Sequence, residues 1–258
     1  MATALITGAS SGLGERFAYA LGQEKYDLIL VARRKERLQS VAEEATRKGA
    51  HSVTVIQADL SERNAPQMVF QRIESDRITV DLLINNAGFG TSGRFYQLPL
   101  GRELEEIDLN VMALVALTRL FLPAMVARRG GTIMNIASTA AFQAVPHMAT
   151  YAATKAFVLS FSQALSTELS GTGVQVMTLC PGPTHTEFQK IANTQRARVP
   201  AFAYMDADTV VAQGLSAMRR GKSLYINGLL NTAMAEAVRI TPRQMVTRLA
   251  GSMFRLES

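Results

Sequence analysis

The chain has 258 residues, 48% of them hydrophobic and 19% charged, with a formal net charge of +6. That length suits one large α/β domain or two small ones, and no run reaches the eighteen or so uncharged apolar residues of a membrane span. The basic balance admits nucleic acid, an anionic membrane surface or an anionic small molecule as partner. Lys and Arg are dispersed, however, apart from Arg33–Arg37, Arg128-Arg129 and Arg219-Arg220, and neither a metal-ligand spacing nor an aromatic–basic stripe accompanies them. No nucleic acid and no metal are therefore expected.

Ala2-Thr-Ala-Leu-Ile-Thr7 reads as a buried strand that runs straight into a glycine loop, without a signal peptide, so a cytoplasmic location is expected. The loop is Gly8-Ala-Ser10-Ser11-Gly12-Leu13-Gly14, and a helix with Phe17, Ala18 and Leu21 on one face follows. Strand, glycine turn and helix form a pyrophosphate cradle, because glycines let the backbone come close and the helix N-terminus offers unpaired N–H groups. A second strand, Asp27–Ala32, ends in Arg33-Arg34. An NAD site places an acid here for the ribose 2′-hydroxyl, whereas an arginine accommodates a 2′-phosphate, so NADP(H) is favoured over NAD(H). The alternative is that these arginines merely open a solvated helix over 35–48.

A third strand, Ser52–Ile56, leads to Asp59-Leu60, with a helix capped by Ser61. A fourth, Val80–Ile84, ends in Asn85-Asn86-Ala87-Gly88, and residues 89–101 read as loop. The apolar segment Ile107–Val126 carries Asn110 near its start, where a buried amide needs partners. A fifth strand, Thr132–Ala137, delivers Ser138 to the C-terminal sheet edge, where open parallel sheets bind ligands. Tyr151 and Lys155 then share one face of a helix whose apolar positions are Phe157, Val158, Phe161, Leu165 and Leu169. A cation fixed beside a tyrosine favours the phenolate and lowers its pKa, so the pair can exchange a proton with a carbonyl or alcohol oxygen.

A sixth strand, Val174–Cys180, ends in Pro181-Gly182-Pro183-Thr184; Cys180, the single cysteine, excludes an internal disulfide and reads as a packing residue. Residues 184–205 suit a substrate lid with short helices. A helix over Asp208–Arg219 and a strand Ser223–Ile226 close the sheet. In the tail, 228–258, Met245, Leu249 and Met253 alternate with Arg243, Arg248 and Arg255. Such a stripe packs on the protein's own body or a neighbouring subunit, with lipid contact as the alternative. No repeat or linker interrupts the alternation, so 1–258 reads as one domain built on a doubly wound parallel sheet of about seven strands.

The segments Thr7–Gly14, Asp59-Leu60, Asn85–Gly88, Asn110, Ser138, Tyr151 with Lys155, and Pro181-Gly182 together resemble the short-chain dehydrogenase/reductase family in its form of roughly 250 residues, over nearly the whole chain. The resemblance implies a Rossmann fold and a role for each residue. Tyr151 would be the general acid in reduction and the base in oxidation, and Ser138 would hydrogen-bond the substrate oxygen. Lys155 would depress the tyrosine pKa and bind the nicotinamide ribose, while Asn110 would hold a water in a proton relay. Asp59 and Leu60 would meet the adenine, Asn86, Ala87 and Gly88 would line the cofactor cleft, and Thr184 and Thr186 would flank the nicotinamide end. Arg33 and Arg34 would select NADP(H).

The activity implied is NADPH-dependent reduction of a ketone or aldehyde, with 3-oxoacyl compounds among the apolar candidates. A non-catalytic NADP(H)-binding sensor or scaffold is the alternative, disfavoured by the complete catalytic set. An epimerase or dehydratase needs another glycine spacing. Phe89, Phe95, Phe142, Val145, His147, Phe188, Phe202 and Tyr204 are the expected pocket residues, with His147 and Arg94 more ordinarily a loop histidine and a solvated charge. A homodimer or homotetramer through 104–128 and 150–169 is implied as well.

Overall fold

The computed structural model describes residues 1–194 and 203–253; Phe202, Arg255 and the middle of the expected lid lie outside them. Seven parallel strands form one sheet in the order β3-β2-β1-β4-β5-β6-β7. They are β1 (Thr3–Thr7), β2 (Asp27–Ala32), β3 (Ser52–Gln57), β4 (Leu82–Asn85), β5 (Gly131–Ile136), β6 (Val174–Cys180) and β7 (Leu224–Ile226). The order reverses between β1 and β4, and a crevice opens at such a point at the C-terminal ends of the strands.

Side chains alternate between the two faces, and both faces are covered. Ala4, Ile6, Leu82, Ile84, Met134 and Leu179 meet α1 (Gly12–Gln23), α2 (Lys35–Arg47) and α8 (Ala207–Arg219) through Phe17, Leu21, Leu38, Val41, Val210 and Leu215. Leu5, Leu83, Ile133 and Val176 meet α3 (Ala65–Ser75) and α5 (Leu114–Ala127) through Val69, Ile73, Leu117 and Phe121. The 20-residue α6 (Ala149–Glu168) packs beside β6.

Several strand ends shift by one or two residues, β4 to Leu82–Asn85 and β5 to Gly131–Ile136 among them, and four larger differences stand out. The third helix starts at Ala65 rather than after Ser61, with Pro66 in its first turn. Ser61 instead gives its backbone N–H and its hydroxyl to Asp59, at 3.0 and 2.6 Å, which makes a turn. The region 89–101 is not all loop: Phe95–Gln97 forms one tight turn, and α4 (Leu100–Ile107) begins directly after Pro99. The apolar segment is not one regular α-helix either, because Asp108–Ala113 winds as a wider π turn between α4 and α5. Together they run 28 residues, long and apolar enough to cross a membrane, yet Leu117, Phe121 and Met125 are buried against the sheet. Finally, the tail forms α9 (Leu229–Ile240) and α10 (Arg243–Met253). The tail packs on the body: Ala235 and Ala250 are buried, and a Cβ at Gly251 would meet Pro146 at 3.0 Å.

Candidate active site

The sheet's C-terminal edge carries a cavity of about 1100 Å³. Every cofactor or catalytic residue named above lines it except Gly14 and Asn110. Gly14 is needed for packing: a Cβ there would stand 2.3 Å from the Gly8 carbonyl oxygen and 2.6 Å from Asn86 Nδ2. Gly8 has φ +66°, and a Cβ on it would meet the Ala87 backbone at 2.8 Å. The β1–α1 turn is thus pressed onto the end of β4. Thr7 stitches the two together, its buried hydroxyl accepting from Asn86 N at 3.0 Å and Ala87 N at 2.9 Å. Asn86 Nδ2 returns a bond to Thr7 O at 2.9 Å. This close turn at the start of α1 leaves backbone N–H groups for an anion.

Arg33 and Arg34 do not simply open a solvated helix. Arg33 Nη1 lies 3.3 Å from Asp59 and 3.0 Å from Glu105. Arg34 turns back to the Ser10 hydroxyl at 3.4 Å and pairs with Glu187 at 3.0 Å. Burial acts to raise the Asp59 pKa, but hydrogen bonds from Ser61 and the Arg33 guanidinium outweigh it and hold the carboxyl below its usual range. The Arg34 hydrogen bond and charge likewise lower Glu187.

At the far end, Ser138 leaves β5 with its hydroxyl accepting from Ala140 N at 3.1 Å. Tyr151 is 9% exposed, its ring 5.2 Å from that of Phe188. Burial pushes the phenol up to about 12, against a hydrogen bond with Ser138 that pulls it down. Lys155 is buried too, and burial pushes it down to about 8. Its Nζ donates to Ile136 O at 2.9 Å and lies 5.8 Å from the Tyr151 ring centre. Burial of the phenol is the largest of these effects, and it acts in the direction opposite to the lowering expected of a neighbouring lysine.

Comparison with known proteins bears directly on this arrangement. The family profile for short chain dehydrogenases matches residues 2–197. The chain belongs to the short chain dehydrogenase family. It is 32% identical over 255 residues to a very-long-chain 3-oxoacyl-CoA reductase of Anas platyrhynchos, covering 96% of this chain and 78% of that one. Some curated relatives are longer, and the chain spans 60% and 64% of two that it matches at 33% and 32% identity. Among solved structures, it is similar to a short-chain dehydrogenase from Sphingobium yanoikuyae in complex with NADPH, with a TM-score of 0.85, 35% identity and 96% of both chains covered. A bulky-bulky ketone specific alcohol dehydrogenase from Comamonas testosteroni gives a TM-score of 0.79 and 32% identity, with 93% of this chain and 92% of that one covered.

Within this dehydrogenase fold the Asn110 side chain is not open to the cavity. Its Nδ2 donates to Phe89 O at 2.8 Å and Thr154 Oγ1 at 3.1 Å, and its Oδ1 accepts from Phe89 N at 3.1 Å. These three bonds pin the 89 loop to α6. Of the expected pocket residues, Phe89, Val145, Phe188 and Tyr204 line the cavity. Phe95 is 63% exposed, Phe142 packs into the cluster behind α6, and His147 is absent from the wall. The outer wall comes instead from Leu230, Met234, Val238, Met245 and Leu249 of α9 and α10, with Gln143, Met148 and Ile191. The tail's apolar spacing announced a covered face, but nothing in it said that the face was the mouth of the cleft. Thr7 reads in the sequence as part of the glycine segment but not as the stitch to Asn86 and Ala87, and Glu187 goes unread because its partner lies 153 positions away.

Proposed function

We propose that the protein is an NADPH-dependent carbonyl reductase, reversibly an alcohol dehydrogenase, acting on a largely apolar ketone. The observation that carries this reading is one continuous cavity with Arg33, Arg34 and Ser10 at one end, Tyr151, Ser138 and Lys155 inside, and the apolar faces of α9 and α10 at the other. The glycine turn suits a dinucleotide, since a Cβ at Gly8 or Gly14 would fill the space that its tight packing requires. NADPH, when bound, would supply the hydride. The Gly8–Gly14 turn would hold the pyrophosphate, Asp59, Leu60, Asn86, Ala87 and Gly88 the adenine half, and Lys155, Pro181, Gly182, Thr184 and Thr186 the nicotinamide half.

The chain's own part is the management of one proton. An alkoxide is far too basic to form freely at neutral pH, so charge developing on the carbonyl oxygen needs a donor. Tyr151, kept protonated by burial, gives that proton, and the Ser138 hydroxyl donates a second hydrogen bond to the same oxygen. In the reverse direction Tyr151 must first lose its proton, and Lys155 assists as a neighbouring cation. The apolar mouth favours bulky or long-chain ketones, the kind named for both the ketone-specific alcohol dehydrogenase and the 3-oxoacyl-CoA reductase relatives. The same reading includes a homodimer or homotetramer, supported by the exposed apolar side chains of Leu104, Ile107, Met112 and Phe157 on α4, the π turn and α6.

The test is a fluorescence titration with NADPH and with NADH, followed by NADPH oxidation on a panel of small and bulky ketones. Tighter NADPH binding that is lost in Arg33→Asp/Arg34→Ala, with turnover on bulky ketones, is the expected result. Preference for NADH, or tight NADPH binding without turnover on any carbonyl, overturns the reading.

A further inference from the structure

Behind the catalytic helix lies a buried pair of carboxyl groups that the reading above leaves idle. Glu103 is 4% exposed and Glu106 fully buried, one turn apart on α4. Both lie against Thr91, whose Oγ1 stands 2.6 Å from Glu103 Oε1 and 2.8 Å from Glu106 Oε2. A threonine hydroxyl has one proton and can donate only once. One of these two short contacts must therefore run the other way, with a carboxyl donating to the threonine oxygen. Glu103 has a second hydroxyl donor in Thr150 of α6, which favours its charged form. Glu106 Oε1 has no hydrogen-bond partner among the described residues, and an ionised carboxylate so placed is costly to bury. The proton thus belongs on Glu106, which donates to Thr91, while Thr91 donates to Glu103.

The pair sits where its charge matters. Glu103 touches Thr150, and Asn110, one turn beyond Glu106, touches Thr154. Those threonines stand next in sequence to Tyr151 and Lys155. A Cβ at Gly88 would lie 2.8 Å from Asn110 Oδ1 and 3.4 Å from Lys155 Nζ, so the ammonium is beside that same helix. The titratable groups acting together here are Glu103 and Glu106 of α4 and Tyr151 and Lys155 of α6, with Cys180 of β6 beyond the lysine. Arg102 of α4 is held elsewhere, 3.9 Å over the Phe89 ring and bonded to Glu105.

We propose that Glu103 and Glu106 share one proton through Thr91, and that Glu106 is a positioning residue whose charge shifts the proton balance of Tyr151 and Lys155 from behind α6. The second half rests on Tyr151 as the acid/base of the proposed reduction; the first half does not. When Glu106 ionises, it favours the Lys155 cation and disfavours the Tyr151 phenolate, adding to the effect of burial on the tyrosine. Loss of the charge has the opposite effect on both.

Two measurements on the whole protein separate these halves. Infrared difference spectra of the wild type, taken as pH rises through about 7, should show a carboxylic-acid carbonyl band that bleaches and is missing from Glu106→Gln. No such band in the wild type, or the same band in Glu106→Gln, overturns the shared proton. Should Glu106→Gln fail to fold, the wild-type spectrum alone still decides. The pH profile of alcohol oxidation then tests the coupling. Its rising limb, where Tyr151 loses its proton, should move about one pH unit lower in Glu106→Gln, the scale of a nearby buried charge removed. An unmoved limb, in a folded variant with wild-type NADPH affinity, overturns the positioning role. A carboxyl band without any turnover would support the proton pair while removing the proposed reaction.

Discussion

Arg34 and Glu187 meet at 3.0 Å across the cofactor end of the cleft, tying the end of β2 to the segment that follows β6. Both side chains are about half exposed, so the ion pair itself is weak. Its interest is positional, because Glu187 occupies the guanidinium that a 2′-phosphate would use in the proposed NADPH site. Glu187→Gln should therefore tighten NADPH binding about threefold, within the range of an exposed ion pair, and leave NADH binding unchanged. Parallel fluorescence titrations check this; weaker NADPH binding would mean that Glu187 supports the site instead of competing for it.

Tyr151→Phe should lower reductase turnover by at least about a hundredfold, the lower end for loss of a general acid. The ring keeps its contact with Phe188, so melting temperature and NADPH affinity should hold. Steady-state kinetics beside a binding titration is the check, and wild-type turnover would remove Tyr151 from the mechanism.

Two glycines on the surface and in the turn should behave in opposite ways. Gly14→Ala forces a Cβ to within 2.3 Å of backbone that cannot retreat, and should cost about 1–3 kcal/mol along with NADPH affinity. Gly101→Ala in α4 meets nothing within 4 Å and should stabilise by roughly 0.5–1 kcal/mol through helix propensity. Denaturant unfolding of both variants measures the contrast.

Glu106 makes stability depend on pH in a definite sense. Burial raises its pKa from 4.5 to about 7 in the folded protein. Between these values the folded state binds more protons than the unfolded state, so this group's contribution falls as pH rises through that window. Carboxylates with lowered pKa, such as Asp59 and Glu187, act in the opposite sense below it. The difference in melting temperature between wild type and Glu106→Gln isolates the effect, and it should shrink or reverse in sign from about pH 5 to about pH 7.

Leu249→Glu places a charge on the apolar mouth formed by α9 and α10. It should raise KM for bulky ketones about tenfold or more, as expected for an unpaired charge against apolar substrate surface, while sparing small ones. Equal effects on both substrate sizes would place the entrance elsewhere.

The parts legible in the amino-acid order are those whose physics is local. β6 stands at Val174–Cys180 as expected, because an apolar run rich in β-branched residues is stopped by Pro181-Gly182. The glycine turn, Ser138 and the Tyr151–Lys155 face also reach one cavity, because strand ends and a four-residue helical spacing dictate where they point. The start of α4 was hidden because its inward positions include Glu103 and Glu106, and buried carboxylates look like a solvated face until Thr91 and Thr150 are seen beside them. The π turn around Asn110 has no compositional mark. Likewise, Phe95 and His147 are near the site in sequence, while α9 and α10 reach it only through the fold.

The strand order also sets a schedule for assembly. β1, β2 and β3 form one wing of the sheet in consecutive pairings, whereas β4 must return to the opposite side of β1, bonding Ala4 to Leu82 across most of eighty positions. From there β5, β6 and β7 each add to the growing edge in the order in which a ribosome delivers them. Until β4 docks, the Gly8–Gly14 turn has no Asn86-Ala87 to lean on, and the nascent wing presents an unpaired edge at β1. The contacts that create the crevice are thus among the slower long-range ones, and the moment of greatest exposure to misassembly during synthesis falls between β3 and β4.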